Sequence, residues 1–526
     1  MVSLGATITI DCENVIGDLK HIWTSIGFDE INWSYTERGK NLLKILKNEV
    51  IRRPYYIRNH NAFTSGNCLS SPAHGSTNIY TEDDHGNPIY NFDILDQIYD
   101  NYLANNFIPF VEFDFMPFDL VSKSSEQQDY DLNGWKYPPK DYNKWINLIQ
   151  TFIKHLYERY DKQIENWYFE VWNEPNIDHY WLGSFEDYCK LYDYSVEALK
   201  SINPNLKIGG PALATNESSG EFLNRFLEHI TNGINYATKQ IGTSIDFISF
   251  HTKGAYFNPL RSYGHKVELE YPSIRRIIDD TVTNLTIINR FPKLNNISIF
   301  IDECDPTVGA IYGIYDNPNF IVCNTEYYPS MIAEMIYNIL SISPRIHLMT
   351  SSLFYMEGKR LFEGNRTFVT NYNLYLPVLN GFKLFEKLQI KQFFIEIKNN
   401  NIPLHAISTF NEDNFDIQLL LFSHIDDYTY YQNESITIIF NNIKLEYVLV
   451  KHYKIDSNNN NIYSEWVKMG KPNDLNSEQL KDFQDFQQLK LFNPPTLYKI
   501  QDNQLILDSM NISTHSVDFF EIINID

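Results

Sequence analysis

Trp167-Tyr-Phe-Glu-Val-Trp-Asn-Glu-Pro-Asn176 and Ser298-Ile-Phe-Ile-Asp-Glu-Cys-Asp-Pro306 decide how this chain is read. In each, a short apolar run gives way to an acidic residue, Glu174 in the first and Glu303 in the second. A run of that length reads as a buried strand, and each carboxylate is expected where its strand runs out. In a parallel α/β barrel the carboxyl ends of the strands open onto one shared cleft. Two carboxyl groups meeting there are the machinery of glycoside hydrolysis.

Outward from these two stretches, similar runs lie at 51–58, 108–116, 206–211, 247–251 and 348–355, with a first near 21–28. With 167–172 and 298–301 they make eight. Amphipathic stretches separate them: 92–105, with Leu95, Ile98, Tyr99 and Leu103 on one face, then 142–160, 185–202, 221–239, 273–289 and 328–342. Strands alternating with helices of this length predict βα units and a parallel sheet, so residues 16–388 are expected to form a (β/α)8 TIM barrel. A doubly wound sheet is the alternative, but no Gly-rich phosphate turn opens any helix.

The pattern changes after about residue 390. Phe393-Phe-Ile-Glu-Ile, Ile417-Gln-Leu-Leu-Leu-Phe, Ser435-Ile-Thr-Ile-Ile-Phe and Tyr447-Val-Leu-Val-Lys-His-Tyr are joined by Asn/Asp-rich connections. Short strands between turn signals predict a β-sandwich. The opening Ala6-Thr-Ile-Thr-Ile strand has no place among the eight barrel strands. The second domain is therefore expected to be discontinuous, residues 1–15 plus 389–526.

The bulk properties exclude several classes. A net charge of −23 over 526 residues argues against nucleic acid, which needs a positive footprint. An acidic substrate would require a cation inside the cleft. No apolar run reaches membrane-spanning length, and the N-terminus lacks the basic and apolar regions of a signal peptide. Seven Asn-x-Ser/Thr sequons, at Asn32, Asn216, Asn284, Asn296, Asn365, Asn433 and Asn511, would matter only in a secreted or lysosomal chain. The five cysteines are scattered and form neither a disulfide framework nor a metal-ligand spacing. Cys304, next to Glu303, reads as a small apolar strand residue. The 36 Tyr, 35 Phe and 8 Trp are mostly core, although aromatic faces also suit sugar CH faces. Neither a metal nor an organic cofactor is implied, because two carboxylates and water suffice for this chemistry.

Particular residues take roles. Enclosure at a strand end favours the protonated carboxyl that a general acid needs, which suits Glu174. Asn173 beside it can donate to a sugar 2-hydroxyl, a contact that strengthens in an oxocarbenium-like transition state. Glu303 lies between Asp302 and Asp305, and three acids so close must be paired to coexist in a cleft. If Glu303 lies about 5 Å from Glu174, it is a nucleophile and configuration is retained.

Phe169-Glu-Val-Trp-Asn-Glu-Pro-Asn176 resembles the acid/base motif of glycoside hydrolase family 39, which contains β-xylosidases and α-L-iduronidases. Pro109-Phe-Val-Glu-Phe-Asp-Phe-Met-Pro117, Pro138-Pro-Lys-Asp-Tyr142 and Gly209-Gly-Pro211 look like the xylosidase branch. His251-Thr-Lys-Gly-Ala255, Asp302-Glu-Cys-Asp-Pro306 and Tyr463-Ser-Glu-Trp-Val-Lys-Met-Gly-Lys-Pro472 look like the iduronidase branch. The resemblance implies a barrel with a β-sandwich, Glu174 as acid/base and Glu303 as nucleophile. It also implies that His60 binds the sugar, Lys253 the uronate carboxylate, Arg366 the sugar, and Glu357, ending the eighth strand, its hydroxyls. His251 would orient neighbours. A lysosomal or secreted location would follow from the iduronidase resemblance.

Three functions fit these residues: an exo-acting α-L-iduronidase, a β-xylosidase, or a catalytically silent glycan-binding protein. The sequence carries no indication of oligomeric state.

Overall fold

The computed structural model describes residues 5–28, 31–66, 75–123, 126–257, 267–309, 312–353, 360–364 and 366–525. Glu357, Asn365 and Cys68 lie outside them, as do the last two residues of the expected strand 348–355.

Eight parallel strands close into a barrel: β1 (Ser25–Gly27), β2 (Tyr55–Asn59), β3 (Phe107–Glu112), β4 (Tyr168–Glu170), β5 (Lys207–Leu213), β6 (Phe247–Ala255), β7 (Ser298–Thr307) and β8 (Ile346–Ser352). They pair in sequence order, and β8 returns to β1. Each expected run contributes one strand. Two expectations are corrected. Glu303 and Lys253 lie inside β7 and β6 rather than beyond them, because these two strands pair with each other as far as Thr307 and Ala255. The helix expected over 221–239 spans Ser219–Asn232, and the chain breaks at Gly233, whose amide closes onto Glu228 and His229 carbonyls.

The helices between strands are held by local signals. Tyr142–Tyr160 is capped by Asp141, whose carboxylate accepts from the amides of Asn143 and Lys144. Phe185–Ile202 begins with a capping box in which the Ser184 side chain accepts from the Asp187 amide and the Asp187 carboxylate accepts from Ser184. Such caps contribute about 1 kcal/mol each. Glu37–Glu49, capped by Thr36, lies between β1 and β2 in the chain.

The second unit is a nine-stranded, mostly antiparallel sheet with its own apolar core, which includes Ile8, Ile10, Phe393, Leu419, Ile438, Val448 and Ile522. Ala6–Asp18 sits inside it, antiparallel to Lys391–Lys398 and parallel to Asn433–Asn441. Helix Tyr327–Ile342 joins the two units: Ser330 Oγ is 3.0 Å from His424 Nδ1, Glu334 Oε2 is 2.9 Å from His405 Nδ1, and Tyr337 stacks on His405. No helix among the described residues is long and apolar enough to cross a membrane. Cys12, Cys189, Cys304 and Cys323 are buried free thiols. Burial pushes the Cys304 thiol up to about 12, so it stays un-ionised, as a packing residue does.

Candidate active site

Along a strand, residues two apart face the same side. On the barrel floor Phe110, Phe247, Phe300 and Leu348 pack together, with Tyr56 and Tyr168 against them. The Phe247 and Phe300 rings stack at 4.5 Å. Two residues further along the same six strands come Arg58, Glu112, Glu170, Ser249, Asp302 and Thr350, all fully buried. A charged layer therefore rests on an aromatic floor.

Arg58 organises that layer. Its Nη2 is 2.6 Å from Glu112 Oε1, 3.1 Å from Asn173 Oδ1 and 3.5 Å from Asp302 Oδ2; its Nε is 2.9 Å from Glu170 Oε2 and its Nη1 3.1 Å from Glu303 Oε1. One guanidinium cannot keep four buried carboxyls ionised. Burial pushes Glu112 up to about 7 against the opposing pull of Arg58 and His60. Burial and the neighbouring Asp302 drive Glu170 well above the carboxylate range, so it is neutral, and it accepts a 2.5 Å hydrogen bond from Ser249 Oγ. Asp302 resists burial and stays low because His251 and Arg58 face it.

Above this layer lie the two predicted carboxylates. The β6–β7 register shifts between Ile301 and Glu303, which places both Asp302 and Glu303 against Arg58. Lys253 Nζ donates to Glu303 Oε2 at 2.7 Å, and His60 Nε2 is 3.4 Å from Oε1. Burial opposes ionisation of Glu303, but His251, Lys253, the His60 hydrogen bond and Arg58 outweigh it and hold the carboxyl well below its usual range. Glu303 is thus held as an anion.

Glu174 is placed by backbone geometry. Trp172 and Glu174 have φ of 71° and 45°, left-handed values that non-glycine residues seldom adopt. Glu174 N–H donates to Ala212 O at 2.9 Å and Trp172 Nε1 to Tyr180 O at 3.0 Å, anchoring the turn. The side chain thereby reaches His251, whose Nδ1 is 2.8 Å from Oε1. Oxygens of Glu174 and Glu303 and a ring nitrogen of His251 lie within 4.8 Å of one another.

Both carboxylates line a cavity of about 450 Å³, with His60, His251, Lys253 and Arg366 on its wall and Tyr180, Tyr256 and Tyr312 among its aromatics. Lys253 and Arg366 each pair with Asp305, which is fully buried and also accepts from Ser352 N–H at 2.8 Å. The three neighbouring acids are thus paired through shared cations: Asp302 with Arg58 and His251, Glu303 with Arg58 and Lys253, Asp305 with Lys253 and Arg366.

The sequence model of glycosyl hydrolases family 39 matches residues 6–498. The chain belongs to that family. It is 26% identical to a β-xylosidase of Caldicellulosiruptor saccharolyticus over 97% of both chains. It is 31% identical to a β-xylosidase of Geobacillus stearothermophilus over 66% of this chain and 64% of that one, just under two thirds of that relative's length. Human α-L-iduronidase is 28% identical over 42% of this chain and 30% of its own. Among solved structures, a bacterial orthologue of human α-L-iduronidase superposes with a TM-score of 0.80 at 17% identity, covering 99% of this chain and 84% of that one. A monomeric β-xylosidase from Caulobacter crescentus CB15 gives 0.79 at 20% identity, covering 99% and 100%. These last two likenesses establish the shared fold.

In this family 39 member the structure brings Glu174, Glu303, His60, Lys253 and Arg366 to one cavity. Asn173 lies beneath it: its Oδ1 accepts from Arg58, and its Nδ2 has no hydrogen-bond partner among the described residues. Sequence reasoning gave no role to Arg58, Glu112, Glu170 or Asp305. Their signal was present, since a charged residue inside an apolar strand is rare unless paired. Two triads gather possible metal donors, His60/Glu112/Asp114 and Glu174/His251/Glu303. Arg58 already binds Glu112 and Lys253 already binds Glu303, so a cation would have to compete with both.

Proposed function

We propose that this hydrolase is a retaining exo-glycosidase that releases a terminal α-L-iduronyl residue from glycosaminoglycan-type glycans, with Glu174 as acid/base and Glu303 as nucleophile. The observation that carries the sugar assignment is the pair of cations, Lys253 and Arg366, on the wall of the cavity that holds both carboxylates. An ammonium has three N–H donors. Two of those on Lys253 go to Glu303 and Asp305, leaving one for a substrate carboxylate. The Arg366 guanidinium adds a fork suited to the same group.

Oxygens of the two carboxylates within 4.8 Å suit a double displacement, which uses carboxyl groups about 5–5.5 Å apart. Glu303 attacks the anomeric carbon while Glu174 protonates the departing oxygen. Water, deprotonated by Glu174, then cleaves the glycosyl ester. Asn173 Nδ2 is the donor for the sugar 2-hydroxyl, and His60 holds the nucleophile's other oxygen.

The second reading, a β-xylosidase, is favoured by the near full-length match to such an enzyme. A turnover assay with paired fluorogenic α-L-iduronide and β-D-xyloside substrates separates the two. Iduronide cleavage that is lost in Glu174→Gln and Glu303→Ala and weakened in Lys253→Ala supports the proposal. Xyloside turnover well above iduronide turnover, unaffected by Lys253→Ala, refutes the uronate assignment and leaves the carboxylate roles in place. If neither substrate is turned over and Glu303→Ala behaves as the wild type does, the reading as a catalytically silent glycan-binding protein gains instead.

A further inference from the structure

Neither hydrolytic role uses His251, yet it lies between both carboxylates. It is fully buried on β6, and its carbonyl accepts a hydrogen bond from Thr215 Oγ1 of the segment following β5. Its Nδ1 is 2.8 Å from Glu174 Oε1 and 3.7 Å from Glu303 Oε2; its Nε2 is 3.8 Å from Asp302 Oδ2. The groups facing the ring are therefore Glu174 from the turn after β4 and Asp302 and Glu303 from β7. Arg58 of β2 and Lys253 of β6 compensate Glu303 from its other sides.

We propose that His251 is a positioning residue that stores the acid/base proton on Nδ1 and passes it through Glu174. This rests on the reading of Glu174 as acid/base. In the first step the proton on Nδ1 passes to Glu174 and on to the leaving-group oxygen as that oxygen's bond to the anomeric carbon breaks and Glu303 bonds to the same carbon. The imidazole is left neutral and Glu174 a carboxylate. In the second step water gives its proton to Glu174 and thence to Nδ1, while its oxygen displaces Glu303 from the anomeric carbon. Charge favours this sequence. The negative charges that retain the proton include Glu303, and Glu303 loses its charge when it becomes an ester. Burial alone would strip the imidazole of its proton, but Glu303, Asp302 and Glu174 keep it charged up to about pH 10 in the resting site.

The test compares His251→Gln with Glu174→Gln on glycosides of whichever sugar the wild type cleaves. Their leaving groups would run from dinitrophenol to an unactivated alcohol. Wild-type loss in Glu174→Gln should be about 10²–10⁴-fold on the alcohol and slight on the dinitrophenyl glycoside. His251→Gln should follow the same trend, with about a 10²-fold loss on the alcohol, and its alkaline limb of kcat/KM should move to lower pH. An equal loss on every leaving group with an unmoved alkaline limb would make His251 merely structural and overturn the proposal. No leaving-group trend in Glu174→Gln itself would instead overturn the acid/base reading, and the proposal with it. If His251→Gln does not fold, 15N NMR of the wild-type imidazole decides. An imidazolium persisting above pH 8 supports proton storage, and a neutral ring at pH 7 refutes it.

Discussion

Arg58→Met removes a cation that touches four carboxyls from three strands. The size of the effect follows from what each acid keeps. Glu303 retains Lys253 at 2.7 Å, and Asp302 retains His251 at 3.8 Å. Glu112 keeps His60 at 2.7 Å, and Glu170 keeps the Ser249 hydroxyl. Removing one partner from a buried charge group costs about 3–5 kcal/mol. Because Glu170 is already neutral, the lower half of that range is expected, about 3–4 kcal/mol at pH 7.5. The sign with pH is fixed by the raised carboxyl groups. Glu112 in the native state titrates near 7 even with Arg58 present, and higher without it. The unfolded chain ionises it at an ordinary pKa, so the penalty grows as pH rises and fades as pH falls toward 5. Urea unfolding of wild type and Arg58→Met at pH 5 and pH 7.5 measures this directly. Equal stability at pH 7.5, or a deficit that does not shrink at pH 5, would refute the electrostatic account of the charged layer. Glycosidase activity should fall as well, since Arg58 positions Asn173 Oδ1 and Glu303 Oε1.

Other outcomes can be checked alongside. Glu326 is pushed up to about 7, first by burial, although Asn461 Nδ2 donates to it at 2.7 Å. Its raised native pKa costs stability as pH climbs from 4.5 to 7, so Glu326→Gln should stabilise the protein at pH 8 and change little at pH 4, by thermal denaturation. Asp302, Glu303 and Asp305 are all held low, so wild-type stability should drop as pH falls below their unfolded values, approximately pH 4. Tyr55→Phe removes the 2.8 Å hydrogen bond to buried Glu386 Oε1, which also receives Trp23 Nε1, and should cost about 1–3 kcal/mol in urea unfolding. Deleting residues 1–18 would leave Lys391–Lys398 and Asn433–Asn441 without a shared neighbour. That variant should expose apolar surface and bind ANS, whereas native-like urea unfolding would show the strand to be dispensable.

Much of this molecule was readable residue by residue. Hydrophobic period is local, so the eight strands and helices such as Tyr142–Tyr160 and Phe185–Ile202 follow from neighbours in the chain. The acids at 174 and 303 stood out because apolar runs led into them. Strand ends were less legible. β6 and β7 run on through Lys253 and Glu303 because each satisfies the other's backbone groups, and a polar residue in a strand gives no local sign of that pairing. The charged layer was visible only as anomalies: Arg58, Glu112 and Glu170 are misplaced in apolar strands until their partners are known.

By itself the sequence determined which residues could do chemistry and roughly which strand carries each. Only the tertiary structure decided their electrostatic state. Arg58 and Glu303 are 245 positions apart in the chain and 3.1 Å apart in the barrel. Whether a buried carboxyl is an anion, as Glu303 is, or neutral, as Glu170 is, depends on which charges closure brings within a few ångströms. Coulomb energy falls with distance in space and takes no account of distance along the chain.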